Sequence, residues 1–295
     1  MSTTSPINVT SITDPGCPWA YSESPALATL RWRYRDQLSW RLSLIGLSET
    51  TEAYEKRGYT PARNVLGYVM FRDRYGMPFN LTPRERVMAT AYACRTVVAT
   101  RLVAAQHELA VLRALQFTRF TTLALFDTEE GVRAALARVD GLDADAVIDA
   151  IGDDATEAAY QADRAEVRQA AGSPTEFQGK AADTDGAVRH TAPSLIFNHS
   201  SGSSLEAGGF QPVEAYDVCI ANLDPTLERH DAAENAIEAI EAVGYSLTTA
   251  EVAAVMAPHL TPPDLDAAER QLIEGAAASA LRAEPLGSST LWHLA

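Results

Sequence analysis

The residue of this chain with the clearest chemical potential is Cys17, which stands between a turn and a predicted helix. Residues 14–16 read Asp-Pro-Gly, a combination typical of turns, and Pro18 suits the first helical position. Cys17 would then be the N-cap, where unpaired backbone N–H groups and the helix dipole favour thiolate over thiol. We therefore expect a nucleophilic cysteine with a pKa below that of a free thiol.

Two strands and a helix should position this cysteine. Residues 7–12 and residues 38–45 alternate between apolar and polar side chains, which predicts two strands. The helical segment between them has the length of a crossover connection, so the strands should be parallel and the crossover right-handed. Pro25 lies inside the helical pattern and should bend or interrupt it.

The middle and the end of the chain are predicted to be mainly helical. The predicted helices cover residues 86–107, 108–125, 129–139, 144–151 and 155–171. Thr82 begins a capping-box pattern that should open the first of them. The strand pattern returns at residues 192–197 and 204–207 around a short polar turn, which indicates an antiparallel hairpin. A further helix should start at Pro212, and the acidic segment from Asp224 onward is predicted to be helical.

Composition restricts the classes of function. The chain has 24 basic and 39 acidic residues and a net charge of −15, so nucleic acid and anionic membranes should repel it. It has no apolar run of about 20 residues and no secretion-signal pattern at its start, and we expect a cytoplasmic protein. Its three cysteines, Cys17, Cys94 and Cys219, are too few and too far apart for a disulfide framework or a cysteine-rich metal site.

Three short motifs, in this order and at this spacing, resemble a known family. They are residues 14–21 (Asp-Pro-Gly-Cys-Pro-Trp-Ala-Tyr), residues 191–194 (Thr-Ala-Pro-Ser) and residues 205–216, which contain Gly-Gly-Phe-Gln-Pro. Residues 6–223 resemble the thioredoxin fold as elaborated in the DsbA family. The resemblance is strongest to the cytoplasmic bacterial group that includes 2-hydroxychromene-2-carboxylate isomerases, kappa-class glutathione transferases and dithiol-disulfide isomerases.

The resemblance implies a fold class and a division of the chain. The expected fold is α/β and thioredoxin-like, with a large all-helical insertion and a helical C-terminal extension. The implied boundaries are residues 6–46 and 185–223 for the thioredoxin-like domain, 47–184 for the insertion and 224–295 for the extension.

The resemblance also assigns roles to residues. It makes Cys17 the catalytic thiolate and Pro193 the cis-proline that lies opposite it. The implied substrate-binding residues are Pro18, Trp19, Tyr21, Ala192, Pro193 and Ser194. Ala20 departs from the dithiol pattern, because a dithiol enzyme carries its second, resolving cysteine at that position. Cys94 and Cys219 lie in apolar helical patterns and are predicted to be core residues.

Three functions remain open at this point. The first is a thiol-disulfide oxidoreductase or isomerase that uses Cys17 as a single nucleophile, with a low-molecular-weight thiol such as glutathione or mycothiol as cofactor. The alternatives are a redox-inactive protein-interaction or adaptor module and a thiol-cofactor-dependent isomerase or transferase. The expected partner is a small thiol or a protein substrate in the groove, without metal, nucleotide, nucleic acid or membrane. The sequence leaves the oligomeric state open.

Overall fold

The structure is a computed structural model that describes residues 5–184 and 186–295. Its N-terminal unit consists of strand β1 (Ile7–Thr13), helices α1 (Pro18–Ser22) and α2 (Ser24–Tyr34), and strand β2 (Leu38–Leu44). β1 and β2 are parallel, so the predicted strand–helix–strand unit is confirmed. The interruption predicted near Pro25 is confirmed as well, because Glu23 ends α1 and precedes α2.

The following segment is a block of helices. They are α3 (Thr51–Lys56), α4 (Pro61–Tyr75), α5 (Ala91–Val103), α6 (Glu108–Thr121), α7 (Glu129–Leu136), α8 (Ala144–Ala150), α9 (Asp154–Val167) and α10 (Pro174–Phe177). The helix predicted from residue 86 is wrong at its start, since residues 76–90 are neither helix nor strand. Val87 and Met88 are buried in the core, and the Thr90 hydroxyl donates to Asp14. These tertiary contacts override the local capping signal at Thr82.

The chain then returns to the sheet. It forms β3 (Ala181–Ala182), β4 (Arg189–His190), β5 (Ser194–His199), β6 (Ser204–Gly208) and helix α11 (Val213–Leu223). The predicted hairpin is confirmed, since β5 is antiparallel to both β1 and β6 and the sheet order is β2-β1-β5-β6. The insertion is not all-helical, because β3 pairs with β4. The implied domain boundary at residue 185 falls on a residue outside the described range.

The C-terminal extension differs from the sequence-based expectation. It contains α12 (Ala236–Val243), β7 (Leu247–Thr248), α13 (Thr249–Val255), α14 (Leu265–Ala277), β8 (Leu281–Leu286) and β9 (Ser289–Leu294). Its three helices agree with the predicted helical extension, but β7, β9 and β8 add an antiparallel sheet in that order, which the expectation did not include. Pro285 lies in β8, an edge strand, where a residue without an N–H group is tolerated.

Buried contacts join the extension to the rest of the chain. Ala28 and Trp32 of α2 belong to the apolar core of the extension. Arg113 of α6 donates two hydrogen bonds to Glu251 of α13, at 2.6 and 3.0 Å, and Ser24 of α2 donates to the same carboxylate. Three separate parts of the sequence therefore meet at one buried carboxylate. In the described part of the chain no helix is long and apolar enough to cross a bilayer.

Candidate functional site

The turn after β1 places Cys17 at the start of α1. The Cys17 N–H donates to the Asp14 carbonyl at 3.1 Å, which closes the turn. Cys17 has extended backbone angles, φ −85° and ψ 115°, and Pro18 follows it as the first helical residue. The geometry is that of an N-cap, so the predicted position of the cysteine at the helix N-terminus is confirmed.

The Asp14 carboxylate holds the surrounding segments in place. It accepts hydrogen bonds from the backbone N–H groups of Gly16 (2.7 Å) and Leu47 (2.8 Å). The Thr90 hydroxyl and the Cys94 thiol also donate to it, at 2.9 and 3.5 Å. Burial raises the pKa of Asp14, and these four donors oppose that shift. This carboxylate thus ties the cysteine turn to the segment after β2 and to the start of α5.

The Cys17 side chain faces the segment that leads into β5. Cys17 is only 4% exposed, and its thiol donates to the Ala192 carbonyl at 3.2 Å. The Ala192–Pro193 peptide bond is cis. The Ser194 hydroxyl donates to the Thr191 carbonyl at 2.7 Å and accepts from the Gly209 N–H at 3.0 Å. Ser194 therefore positions the segment that touches the cysteine.

The electrostatic environment of Cys17 differs from the expectation. Burial raises the pKa of the thiol to about 12, and the negative charges of Asp14 and Glu23 act in the same direction. The backbone N–H groups of Ala20 and Trp19 lower the pKa, as the helix-terminus argument requires, but they do not compensate for desolvation. The predicted low pKa is therefore wrong for this structure, in which Cys17 is a thiol that donates a hydrogen bond.

A cavity of about 650 Å³ opens beside Cys17. Pro18, Trp19 and Ala192 line it, so three of the predicted substrate-binding residues lie together on its wall. The insertion contributes the aromatic residues Tyr54, Tyr59, Tyr68 and Phe71 to the same cavity. A cavity of this size, lined by aromatic and basic side chains and open to solvent, suits a small organic molecule.

Trp19 is the exposed edge of this wall. Its side chain is 39% exposed and packs edge-on against Phe71, Tyr75 and Phe210, with ring centroids 4.7, 6.1 and 5.5 Å away. Phe210 belongs to the Gly-Gly-Phe-Gln-Pro run, so the structure brings two of the sequence motifs into contact.

Tyr21 does not lie on this wall. It is 1% exposed, its hydroxyl donates to the Pro78 carbonyl at 3.0 Å, and its ring stacks on Phe120. Two residues along a helix correspond to a rotation of about 200°, so Tyr21 points to the opposite side from Trp19. The prediction that Tyr21 binds substrate is therefore wrong. Pro193 and Ser194 are also buried, behind the residues that line the cavity.

The insertion supplies residues that sequence reasoning missed. Tyr54 of α3, Tyr68 of α4 and Arg119 of α6 all line the cavity. Burial raises the pKa of Tyr54 well above its ordinary value, and Arg119 is only 7% exposed. No local pattern distinguishes them from other residues of the helical block, because their position depends on how the insertion packs over the sheet.

The other two cysteines do not join Cys17. Cys94 is completely buried on α5, where its thiol donates to Asp14, and burial raises its pKa well above the ordinary value. Cys219 is half-buried on α11 and packs against the core of the sheet. Among the described residues no group of three His, Cys, Asp or Glu side chains is arranged to hold a metal ion.

Comparisons with known proteins agree on the fold. No sequence family model matches the chain, and no curated protein matches it in sequence. A protein from Nitrosomonas europaea assigned as a protein disulfide isomerase is 17% identical, with a TM-score of 0.56 over 73% of this chain and 96% of that chain. The cytosolic disulfide reductase DsbM from Pseudomonas aeruginosa is 17% identical, with a TM-score of 0.50 over 75% and 98%. DsbM has also been solved with GSH.

A third solved structure extends the comparison. A protein from Streptomyces coelicolor assigned as a DsbA oxidoreductase is 17% identical, with a TM-score of 0.53 over 75% of this chain and 91% of that chain. At these identities the similarity is one of fold. The chain therefore has the DsbA-like thioredoxin fold, as the sequence motifs predicted.

Proposed function

We propose that this chain, which has a DsbA-like thioredoxin fold, is a thiol-disulfide oxidoreductase with Cys17 as its single nucleophile and a small thiol or disulfide as its reaction partner. One observation carries the proposal. The Cys17 sulfur lies at a helix N-terminus, 3.2 Å from the carbonyl that precedes Pro193, on the wall of a cavity of about 650 Å³.

The proposed reaction is an exchange in two steps. Cys17 loses its proton to water in the cavity, and the thiolate attacks one sulfur of a disulfide. A new bond forms between Cys17 and that sulfur while the original S–S bond breaks, and the departing thiolate takes up a proton. A second small thiol, as its thiolate, then attacks the bound sulfur and forms a new disulfide with it, while the bond to Cys17 breaks and Cys17 takes up a proton. This external step is required because Ala20 carries no sulfur and the other two cysteines do not contact Cys17.

The resting state favours the thiol over the thiolate. The hydrogen bond from Cys17 to the Ala192 carbonyl and the burial of the sulfur both stabilise the protonated form. The N–H groups of Trp19 and Ala20 stabilise the thiolate once it forms. A bound substrate therefore has to displace the thiol from Ala192 before exchange begins.

Glutathione and mycothiol are the small thiols we propose as partners. The GSH complex of DsbM supports this choice, since it is a thiol bound by a protein of the same fold. We place the reaction in the cytoplasm, whose reducing conditions suit a protein with three free cysteines. The proposal requires neither a metal nor a nucleotide.

Incubation with glutathione disulfide tests the proposal. We expect one glutathione to attach at Cys17, identified by the mass of the peptide that contains it, and to be removed by a second thiol. The Cys17→Ser variant should acquire no adduct at this position, whereas Cys219→Ser should react like the wild type. A folded wild-type protein whose Cys17 stays unmodified would contradict the proposal and favour a protein-interaction module.

A further inference from the structure

Arg119 presents a buried positive charge to the cavity beside Cys17. It lies in the last turn of α6, is 7% exposed and lines the same cavity as the cysteine. Its guanidinium carbon lies 5.7 Å from the centroid of the Tyr68 ring, 5.4 Å from that of Phe120 and 5.5 Å from that of Phe126. The charge is therefore held among aromatic rings and directed into the space where a substrate would bind.

Two other buried arginines have carboxylate partners, whereas Arg119 has none among the described residues. Arg113, on the same helix, donates two hydrogen bonds to Glu251, and Arg33 forms an ion pair with Asp217. For Arg119, no carboxylate or carbonyl among the described residues accepts a hydrogen bond from the guanidinium. An unpaired buried charge is costly to the fold, so its presence indicates a role other than stability.

A second buried arginine strengthens the positive potential. Arg84 is 9% exposed, and its guanidinium donates to the carbonyls of Arg119 and Thr122. Burial and the positive charge of Arg119 lower the pKa of Arg84 to about 10. Two guanidinium groups thus lie close to each other, and in the described part of the chain neither forms an ion pair with a carboxylate.

The rest of the cavity has the same sign of charge. Arg57 and Arg63 also line it, and among the described lining residues none is acidic. The chain as a whole carries a net charge of −15. The positive charge of these arginines attracts anions into the cavity, whereas the acidic remainder of the protein surface repels them.

We infer that the cavity selects small disulfides or thiols that carry a carboxylate, with Arg119 as the residue that binds it. A guanidinium can donate two parallel hydrogen bonds to a carboxylate, and the aromatic residues of the insertion then contact the apolar part of the ligand. The inference rests on the proposed function for the sulfur chemistry of its ligand. Between the two proposed thiols it favours glutathione, which carries carboxylates, over mycothiol, which carries none.

Two aromatic disulfides of similar size provide a kinetic test. Dithiobis(nitrobenzoate) carries carboxylates and dithiodipyridine does not, and each can attach to Cys17 with release of one thiolate. The measurement is the rate of adduct formation on the peptide that contains Cys17. We expect Arg119→Met to slow the carboxylate disulfide about ten- to hundredfold relative to the neutral one, since a charged hydrogen-bond partner is lost.

Arg133→Met is the matched control for net charge. Arg133 is exposed on α7, outside the cavity, and pairs with Asp145 and Glu129. This variant should keep the wild-type ratio of the two rates within about twofold. The inference would be overturned if the ratio of the two adduct-formation rates were the same in the wild type and Arg119→Met, or if Arg119→Met and Arg133→Met changed it equally. Exchange at Cys17 would remain established in either case.

Binding without exchange separates the inference from the proposed function. In Cys17→Ser protein, isothermal titration should show nitrobenzoate binding at least about tenfold more tightly than nitrobenzamide, with the difference lost on adding Arg119→Met. Equal binding of the two compounds overturns the carboxylate site. If instead the carboxylate preference is found and Cys17 exchanges with neither disulfide, the anion site stands and the proposed exchange reaction fails.

Discussion

The structure predicts that Cys17 of the free protein reacts slowly with alkylating agents. Burial raises the pKa of its thiol from the ordinary 9.0 to about 12. At neutral pH this difference lowers the fraction of thiolate about 1000-fold. A more basic thiolate is also a better nucleophile, and a Brønsted coefficient of about 0.4–0.5 restores a factor of about 15–30. We therefore expect alkylation about 30- to 70-fold slower than for an unfolded chain.

The assay uses iodoacetamide and the mass of the peptide that contains Cys17. The same protein unfolded in urea supplies the reference rate, and the half-buried Cys219 supplies an internal control in each sample. The rate at Cys17 should rise with pH throughout the range in which the protein stays folded, without reaching a plateau near pH 9. A plateau below this pH, or a rate equal to that of the unfolded chain, would refute the argument that desolvation dominates at this site.

Three further predictions concern stability. Arg113→Met should lower the free energy of unfolding by about 3–5 kcal/mol, because the buried Glu251 carboxylate loses its counter-ion. Arg119→Met on the same helix should not lower it, and urea denaturation compares the two variants. Burial raises the pKa of Glu23 from 4.5 to about 8. Between these two pH values the folded state holds a proton that the unfolded state releases, so the free energy of unfolding should fall by up to about 1.4 kcal/mol per pH unit as the pH rises. Urea midpoints at about pH 5 and pH 8 should show this loss for the wild type and not for Glu23→Gln. Gly16→Ala would place a Cβ 2.5 Å from the Thr90 methyl group and should lower thermal stability by about 1–3 kcal/mol, whereas Gly152→Ala, with no neighbouring atom within 4 Å, should change it little.

Each comparison has an outcome that contradicts it. Equal destabilisation by the two arginine variants would contradict the contrast between a paired and an unpaired guanidinium. Identical pH profiles of the wild type and Glu23→Gln would show that this carboxyl group titrates as it does in water. Equal melting temperatures of the two glycine variants would contradict the close packing of the cysteine turn.

Sequence patterns formed by residues close together in the chain predicted secondary structure well. Alternation predicted β1 and β2 correctly. Thr248 and Glu251 have the capping-box spacing, and they form a capping box at the start of α13. The similar pattern at Thr82 opens no helix, because Val87 and Met88 are buried by distant parts of the chain. β8 was missed for another reason. Pro285 argues against a strand, and only its position at the edge of a sheet makes it acceptable.

In the candidate site, too, some properties depend on neighbouring residues and others on residues that are distant in the sequence. The N-cap position of Cys17 follows from its immediate neighbours, and the structure has it there. Its pKa depends on burial against Ala192, which lies 175 positions away in the sequence, so the local helix-terminus argument gave the wrong direction. Arg113 and Arg119 lie in the same predicted helix, and no sequence pattern distinguishes them. Only the contact of Glu251 with Arg113 shows that Arg113 forms a structural ion pair, whereas Arg119 is a charge in a cavity.

The carboxylate shared by α2, α6 and α13 has a consequence for how the protein is made. Arg113 is synthesised 138 residues before Glu251, which at about 5–20 residues per second is about 7–28 s of translation. During that interval a nascent chain that packed α6 against the sheet would bury a cation without its counter-ion. We therefore expect the insertion to reach its final packing, and the cavity beside Cys17 to be completed, only after α13 has been synthesised.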